Sequence, residues 1–202
     1  MAYTPDLTIV QEARKVKTTG LPDIWRGPSP NNGISVIPGD DVRVEFCHQK
    51  ENVLWSIIPL EISGKQDFHA LGVWTRKEHG YMNSLKTALT SYRDFLSAAP
   101  CVVLGDFNCS AIWDNSAAGF SPLANILEGD LGLKSAYHSF YGEQYGEETR
   151  PTFYFRWSAS KPFHIDYCFV PSDWNILSVE VGSYDGWALL SDHRPLIIDV
   201  DM

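Results

Sequence analysis

A carboxylate and an amide lie two positions apart, directly after an apolar run in the middle of the chain. Residues 101–104 are apolar, Gly105 follows, and Asp106 and Asn108 come next. The run predicts a strand buried on both faces, and the glycine lets the backbone turn or approach a ligand where that strand ends. Because side chains alternate along extended chain, Asp106 and Asn108 project together. Their oxygens suit a hard cation such as Mg²⁺ or the surroundings of a phosphate, although Gly-Asp-x-Asn is also common in turns.

Further groups capable of chemistry lie near both ends of the chain. Alternation over 164–170 predicts a strand that contains Asp166. An unpaired carboxylate is costly to bury, so Asp166 needs a cation or a hydrogen-bond donor. An obvious candidate donor is His193, which lies in a Ser-Asp-His-Arg-Pro segment before an apolar strand over 196–200. Near the N-terminus, a short apolar strand ends at Glu12.

Four segments together resemble the endonuclease/exonuclease/phosphatase superfamily, which has the DNase I-like fold. In that family a Pro-Asp-x-x-x-x-Gln-Glu segment supplies a metal-binding Glu, and the matching residue here is Glu12. A Gly-Asp-x-Asn segment supplies an acid/base Asp and an Asn that orients the phosphate. The matching residues are Asp106 and Asn108.

The other two segments complete the resemblance. An Ile-Asp-Tyr strand supplies the Asp that holds the catalytic His, and here that Asp is Asp166. A Ser-Asp-His-x-Pro loop supplies that His, here His193, and an acidic residue near the metal, here Asp192. The four motifs occur in the family's order and span residues 5 to 200.

The resemblance implies an α/β (α+β) fold in one domain over residues 1–202. This would be a DNase I-like four-layer sandwich with two packed, mostly antiparallel sheets flanked by helices. It also implies a hydrolase of phosphate esters that uses Mg²⁺ or Mn²⁺, held by Glu12, Asp192 and Asp106. A nuclease acting on DNA or RNA is favoured. The alternatives are a small-molecule phosphatase or phosphodiesterase with the same site, and a weakly active binding module.

The sequence departs from the family pattern in two places. Family members usually begin with a strand carrying an Asn that contacts the phosphate, but only 11 residues precede Glu12. That is too few for the strand and its connecting helix. Either the start is truncated or this subgroup dispenses with the strand, so a central strand of the sheet is expected to be missing or replaced. Many members also place a His near the end of the strand predicted over 68–74. Trp74 stands there instead, and Tyr81 is expected to take the role, as a Tyr does in the abasic-site nuclease branch.

Aromatic side chains supply candidate substrate contacts. Alternation over 152–157 predicts a strand with Phe153, Phe155 and Trp157 on one side. Such a stripe is either core or a stacking surface for a base or sugar. The remaining candidate substrate contacts are Asn108, Trp74, Trp113, Phe163 and His164. Core packing or loop anchoring is the alternative for Trp113 and Phe163, and a solvated strand position is the alternative for His164.

Composition narrows the substrate and the compartment. The net charge is −9, whereas a nonspecific binder of nucleic acid normally carries a basic face. This argues against long duplex DNA and leaves short or single-stranded nucleic acid, or a small phosphoester. No apolar run is long enough to span a membrane, and no secretory signal is visible. The four cysteines have no metal-ligand spacing, so we expect reduced thiols in a cytoplasmic protein. A monomer is also expected.

Periodicity and turn residues predict the elements that position these groups. Residues 20–33 are predicted to be a loop, and 80–97 a helix. A short helix is expected over 122–128. The predicted strands cover 34–37, 42–47, 53–62, 68–74, 152–157, 164–170, 176–181 and 196–200.

Overall fold

The computed structural model describes residues 4–15, 24–116 and 118–202. The strands within these ranges are β1 (Leu7–Ala13), β2 (Ile24–Ser29), β3 (Asn32–Pro38), β4 (Arg43–Phe46), β5 (Ile57–Ser63), β6 (Phe68–Trp74), β7 (Cys101–Asp106), β8 (Leu133–Ser135), β9 (Phe153–Tyr154), β10 (Pro162–Phe163), β11 (Asp166–Pro171), β12 (Asn175–Val181) and β13 (Leu196–Asp201). The α-helices are α1 (Tyr81–Ser91), α2 (Arg93–Ser97), α3 (Ser121–Ala124), α4 (Ala136–Tyr141) and α5 (Tyr184–Trp187).

A six-stranded sheet forms the centre of the molecule, with the strand order β4-β5-β6-β7-β11-β8. All neighbours are antiparallel except β6 and β7, which are parallel and connected through α1 and α2. The apolar run 101–104 forms β7, as the sequence predicts, and its side chains enter the cores on both faces of the sheet. The polar end of β7 therefore lies between β6 and β11.

Helices cover one face of this sheet. Leu85 and Leu89 of α1 lie in one apolar cluster with Leu71 of β6 and Val103 of β7, and all four are buried. The spacing of the apolar residues in 80–97 predicts this face correctly. Burial of the helix against the sheet holds the β6–β7 crossover in place.

The predicted helix over 80–97 is interrupted at Tyr92, where φ is −100° and ψ is 14°. The Tyr92 side chain is buried, and its hydroxyl accepts a hydrogen bond from the Lys50 N–H at 2.9 Å. A second short helix follows and buries Leu96. Apolar spacing continues through the break, which is why periodicity alone predicts one helix.

A second layer covers the opposite face and consists of two separate sheets. One has the order β1-β3-β2, and Ile34 and Val36 of β3 lie in a cluster with Leu60 of β5. The other is the antiparallel pair β12-β13, and Val179 lies in a cluster with Val170 of β11. Within the described residues β1 and β13 each pair on one side only. The architecture confirms the predicted class of packed, mostly antiparallel sheets with helices.

The prediction of a loop over 20–33 is wrong from Ile24 onward, where β2 and β3 form a hairpin. Residues 20–23 lie outside the described residues. The Trp25 ring packs directly over Gly33, where a Cβ atom would collide with it. The glycines that suggest a loop instead make room for a tryptophan on the neighbouring strand.

Three other predicted boundaries also change. The strand over 152–157 stops at Tyr154, because φ is positive at Arg156 (54°) and Trp157 (57°) and these residues form a 3₁₀ turn. The strand predicted over 53–62 begins at Ile57, and the helix over 122–128 is α3 followed by a π-helical turn, Asn125–Asp130.

Two compositional expectations can be compared with the structure. No helix in the described ranges combines the length and apolar character needed to cross a membrane. The four cysteines are free thiols, and three of them are buried. Burial raises the pKa of Cys101 to about 11, so this thiol stays protonated.

Replacing Leu60 with alanine is expected to lower the free energy of unfolding by about 2–5 kcal/mol, because its side chain is fully buried between the two layers. Urea denaturation followed by circular dichroism measures the change. The matched control is Leu177→Ala on β12, where the leucine is 50% exposed and the loss should stay within about 0.5 kcal/mol. Equal losses in the two variants would contradict the layer arrangement.

Candidate active site

Two buried carboxylates face each other where β7 ends and β11 begins. The antiparallel register places Asp106 directly opposite Asp166, and their exposures are 3% and 9%. Residues paired in this way have neighbouring side chains. Burial, and then the charge of Asp166, raise the pKa of Asp106 well above its usual range. The pair therefore needs compensating donors or a cation.

His193 supplies part of that compensation. Its Nδ1–H donates to Asp166 Oδ2 at 2.9 Å. Burial disfavours the charged imidazolium, but the carboxylates of Asp166, Asp106 and Asp192 outweigh it and raise the pKa of His193 to about 10. The ring is thus protonated at neutral pH, and its Nε2–H is a second donor.

Asn108 holds the other carboxylate. Its backbone N–H donates to Asp106 Oδ1 at 2.8 Å, and its amide Nδ2 donates to Asp106 Oδ2 at 2.6 Å and to the Thr75 carbonyl at 3.3 Å. The backbone of Asn108 has a φ of 50°, a left-handed conformation that Asn tolerates better than most residues. Both amide hydrogens face protein acceptors, so Asn108 positions Asp106 in this structure.

Gly105 lets the strands approach at this point. Its φ is 134°, and a Cβ atom would collide with the Val73 carbonyl of β6 and approach Gln11 Nε2 to 2.8 Å. Gln11 Nε2 in turn donates to that carbonyl at 3.4 Å. The glycine therefore brings β1, and with it Glu12, close to the end of β7.

Thr152 is not among the residues predicted for the site. It connects the strand that carries Asp166 to the loop that carries His193. Its Oγ1 accepts hydrogen bonds from the Ile165 and Asp166 N–H groups, both at 3.1 Å. Its carbonyl accepts from the Arg194 N–H at 2.7 Å, next to His193. Thr152 is fully buried and carries no charge, so its residue type alone does not identify this connecting role.

Three further predicted residues surround this centre. Glu12 sits in a bulge of β1 with a φ of 55°, and its charge helps to raise the pKa of Asp106. Such bulges re-aim side chains next to functional sites. Tyr81 begins α1, and burial, followed by the charge of Asp106, raises the pKa of its phenol. The charge of Asp192 helps to raise the pKa of the neighbouring His193.

The donor set fits a hard divalent cation of the kind predicted. Within the described ranges, no three His, Cys, Asp or Glu side chains are grouped as a complete metal site. Mg²⁺ is commonly held by only one or two carboxylates, with water and substrate phosphate completing its shell. Glu12 and Asp106 provide two carboxylates, and the charge of Glu12 contributes to the raised pKa of Asp106. The excess negative charge at Asp106 and Asp166 suits a cation.

Successive ring contacts connect His193 to two of the predicted substrate contacts, Phe163 and Trp113. The Phe153 and His193 ring centroids are 4.7 Å apart, and Phe163 follows at 6.4 Å from Phe153. Trp113 lies 5.0 Å from Phe163. Phe163 is therefore a direct neighbour of Phe153, and Trp113 reaches this group of rings through Phe163.

The structure places the other two, Trp74 and His164, in the interior. Trp74 is buried and packs edge-to-face on Trp55, with ring centroids 5.7 Å apart. His164 is 3% exposed, and its Nδ1–H donates to the Arg150 carbonyl at 3.0 Å. The alternative of a solvated His164 is therefore wrong. Packing accounts for both side chains.

Comparison with known proteins places the chain in a family. The model of the Endonuclease/Exonuclease/phosphatase family matches residues 68–193, which is more than half of the sequence. The chain belongs to this family, whose members are hydrolases acting on phosphate esters. The predicted membership of the superfamily is thereby confirmed. Comparison with curated proteins gave no match.

Solved structures confirm the DNase I-like fold. The 3'-5' exonuclease NExo of Neisseria meningitidis has a TM-score of 0.70 at 17% identity, covering 98% of this chain and 90% of that one. The endonuclease domain of TRAS1, a telomere-specific non-LTR retrotransposon, has a TM-score of 0.68 at 17% identity, with coverages of 96% and 84%. D. rerio TDP2, in complex with a single-strand DNA product, has a TM-score of 0.67 at 13% identity, with coverages of 99% and 87%.

Replacing His164 with asparagine is expected to reduce the loss of stability in mild acid. Burial lowers the pKa of His164, so the unfolded chain binds the proton more readily once the pH falls below about 6.5. The folded state therefore loses stability as the pH falls from that value toward the folded pKa. Asparagine keeps a donor for the Arg150 carbonyl and removes this titration.

Urea unfolding of wild type and variant at pH 7.5 and 5.5 measures the effect. His48→Asn, at an exposed position, is the control and should keep the wild-type pH dependence. If His164→Asn loses as much stability as wild type between the two pH values, the buried imidazole does not cause the acid sensitivity.

Proposed function

We propose that the protein is a divalent-metal-dependent phosphoesterase that hydrolyses phosphodiester bonds of DNA or RNA. The observation that carries the proposal is the arrangement at the strand ends. Protonated His193 is held by Asp166, directly across from Asp106, which Asn108 holds in turn. This arrangement offers a proton acceptor on one side of a phosphate and a charged donor on the other.

Glu12, Asp106 and Asp192 are the residues that would hold Mg²⁺ or Mn²⁺. When bound, the cation supplies charge neutralisation of the phosphate and stabilisation of the leaving oxygen. All three residues offer carboxylate oxygens, which suit these hard cations better than zinc.

The chain's own groups divide the proton chemistry. Asp106 accepts the proton of the attacking water, and the donors of Asn108 hold its carboxylate in place. His193 donates from Nε2 to a phosphate oxygen as negative charge develops there, because its Nδ1 is committed to Asp166. Tyr81 keeps its proton, because its pKa is raised, and can donate it near Asp106.

The aromatic rings beside His193 favour a nucleic-acid substrate. Phe153, Phe163 and Trp113 form a continuous series of rings that could stack on a base or sugar. The structural relatives include proteins described as an endonuclease domain and a 3'-5' exonuclease. The net charge of −9 favours the second candidate, a small-molecule phosphatase or phosphodiesterase that uses the same residues.

Activity is expected to require an added divalent cation. Hydrolysis would be screened with Mg²⁺ or Mn²⁺ on single-stranded DNA, duplex DNA with and without an abasic site, RNA and small phosphoesters. Chelation with excess EDTA should abolish turnover, and re-addition of the metal should restore it. Undiminished turnover in EDTA would refute the metal-dependent mechanism, and failure to bind any divalent cation would favour an inactive binding module.

His193→Ala and Asp106→Asn should each lower turnover by at least about 100-fold, the usual scale for losing an acid/base or charge-stabilising group. Without metal, Asp106→Asn should leave Tm unchanged or raise it, because one of two facing charges is removed. Asp166→Ala should lower both turnover and Tm, since His193 then loses its acceptor.

Steady-state kinetics and thermal unfolding distinguish these effects. Exposed residues provide controls, and His48→Ala and Asp173→Asn should leave turnover unchanged. If His193→Ala unfolds the protein while the folded fraction keeps normal specific activity, then His193 has a structural role and the proposed chemistry is wrong.

A further inference from the structure

The turn between β9 and β10 holds two aromatic side chains out in solvent. Phe155 is 41% exposed and Trp157 is 54% exposed. Arg156 and Trp157 have φ values of 54° and 57°, a conformation that costs energy in side-chain-bearing residues. The Tyr184 hydroxyl donates to the Trp157 carbonyl at 2.8 Å and ties the turn to α5. The exposed rings are therefore attached to an anchored backbone.

These rings are continuous with the candidate active site. The Phe155 ring lies 6.3 Å from Phe153, at an interplanar angle of 68°, and Phe153 lies 4.7 Å from His193. Phe153 also bridges to His193 through the backbone, and the Tyr154 N–H donates to the Asp192 carbonyl at 2.8 Å. The turn thus extends outward from the residues that carry the proposed chemistry.

Two cations accompany the exposed rings. The Arg156 guanidinium lies 5.2 Å and the Lys161 Nζ 5.8 Å from the centre of the Phe155 ring. Across the described part of the chain, neither is ion-paired with a carboxylate. Unpaired cations beside aromatic rings in a chain of net charge −9 create a local surface complementary to a polyanion with flat bases.

We infer that this surface, formed by Phe155, Arg156, Trp157 and Lys161 and called here the β9–β10 platform, binds the single-stranded nucleic acid that flanks the cleaved phosphodiester. Bases stack on Phe155 and Trp157, and phosphates lie near Arg156 and Lys161. A single strand offers the faces of its bases, whereas a duplex keeps them stacked inside. The inference rests on the proposed function and narrows its substrate class.

The double substitution Phe155→Ala with Trp157→Ala tests the platform. The two substrates are a 15-nucleotide oligo(dT) and bis(4-nitrophenyl) phosphate, each with Mg²⁺ or Mn²⁺. The ratio of kcat/KM for the oligonucleotide to kcat/KM for the small diester should fall about 10- to 100-fold, as expected when base stacking is lost. Phe140→Ala, at a 43% exposed position on α4, is the matched control and should leave both values unchanged.

Binding provides a readout that does not depend on turnover. Fluorescence anisotropy with labelled oligo(dT) should show weaker binding to the Phe155→Ala, Trp157→Ala variant than to wild type. In a second variant, Arg156→Gln with Lys161→Gln, the affinity for oligo(dT) should depend less on the salt concentration. A labelled duplex should bind wild type at least about tenfold more weakly than the single strand. If wild type hydrolyses neither ester, the proposed function fails, and the anisotropy measurement still decides the platform.

Several results would overturn the inference. Equal losses on both substrates would mean that the rings only support His193. Unchanged oligonucleotide binding in the double variant, or equal affinity for the duplex, would exclude a single-strand platform. Loss of binding to phosphatidylcholine/phosphatidylserine vesicles with unchanged oligonucleotide affinity would assign the surface to a lipid interface instead.

Discussion

The facing pair Asp106 and Asp166 is the constraint on which the rest of the site depends. Two carboxylates buried at opposed positions of neighbouring strands repel each other and lose hydration. His193 compensates one, and the N–H donors of Asn108 compensate the other. Thr152 then joins the strand carrying Asp166 to the loop carrying His193. These contacts of His193, Asn108 and Thr152 therefore stabilise two buried, mutually repelling carboxylates.

The parallel pair β6–β7 determines where in the fold the site lies. Parallel strands end at the same sheet edge, where ligands commonly bind in α/β folds. The Thr75 N–H, just after β6, donates to the Asp106 carbonyl at 3.0 Å, and Tyr81 begins the crossover helix close by. The opposite layer then adds Glu12 through a bulge of β1. Residues far apart in sequence thus meet because three strand ends coincide.

The part of the site that could be predicted from sequence depends on residue type within a local pattern. A carboxylate in an apolar strand identifies Asp166, and its partner follows from the chemistry it requires. Thr152, in contrast, acts through the register between distant segments, which a local pattern does not contain. The same limit explains the hairpin around Trp25. Its glycines predict a loop, but in the fold they make room for the Trp25 ring, a contact between neighbouring strands. This limit also explains Arg156, whose backbone ends a strand that alternation alone would continue.

The separate β12-β13 pair has a consequence for how the protein loses activity. This strand pair is hydrogen-bonded to no other strand within the described ranges, and the loop carrying His193 leads directly into β13. A pair held mainly by side-chain packing can open as a cooperative unit at a lower free energy than the central sheet. Such an opening would carry the imidazole away from Asp166 while the six-stranded sheet stays intact. Heat inactivation would then report a subglobal transition that precedes global unfolding.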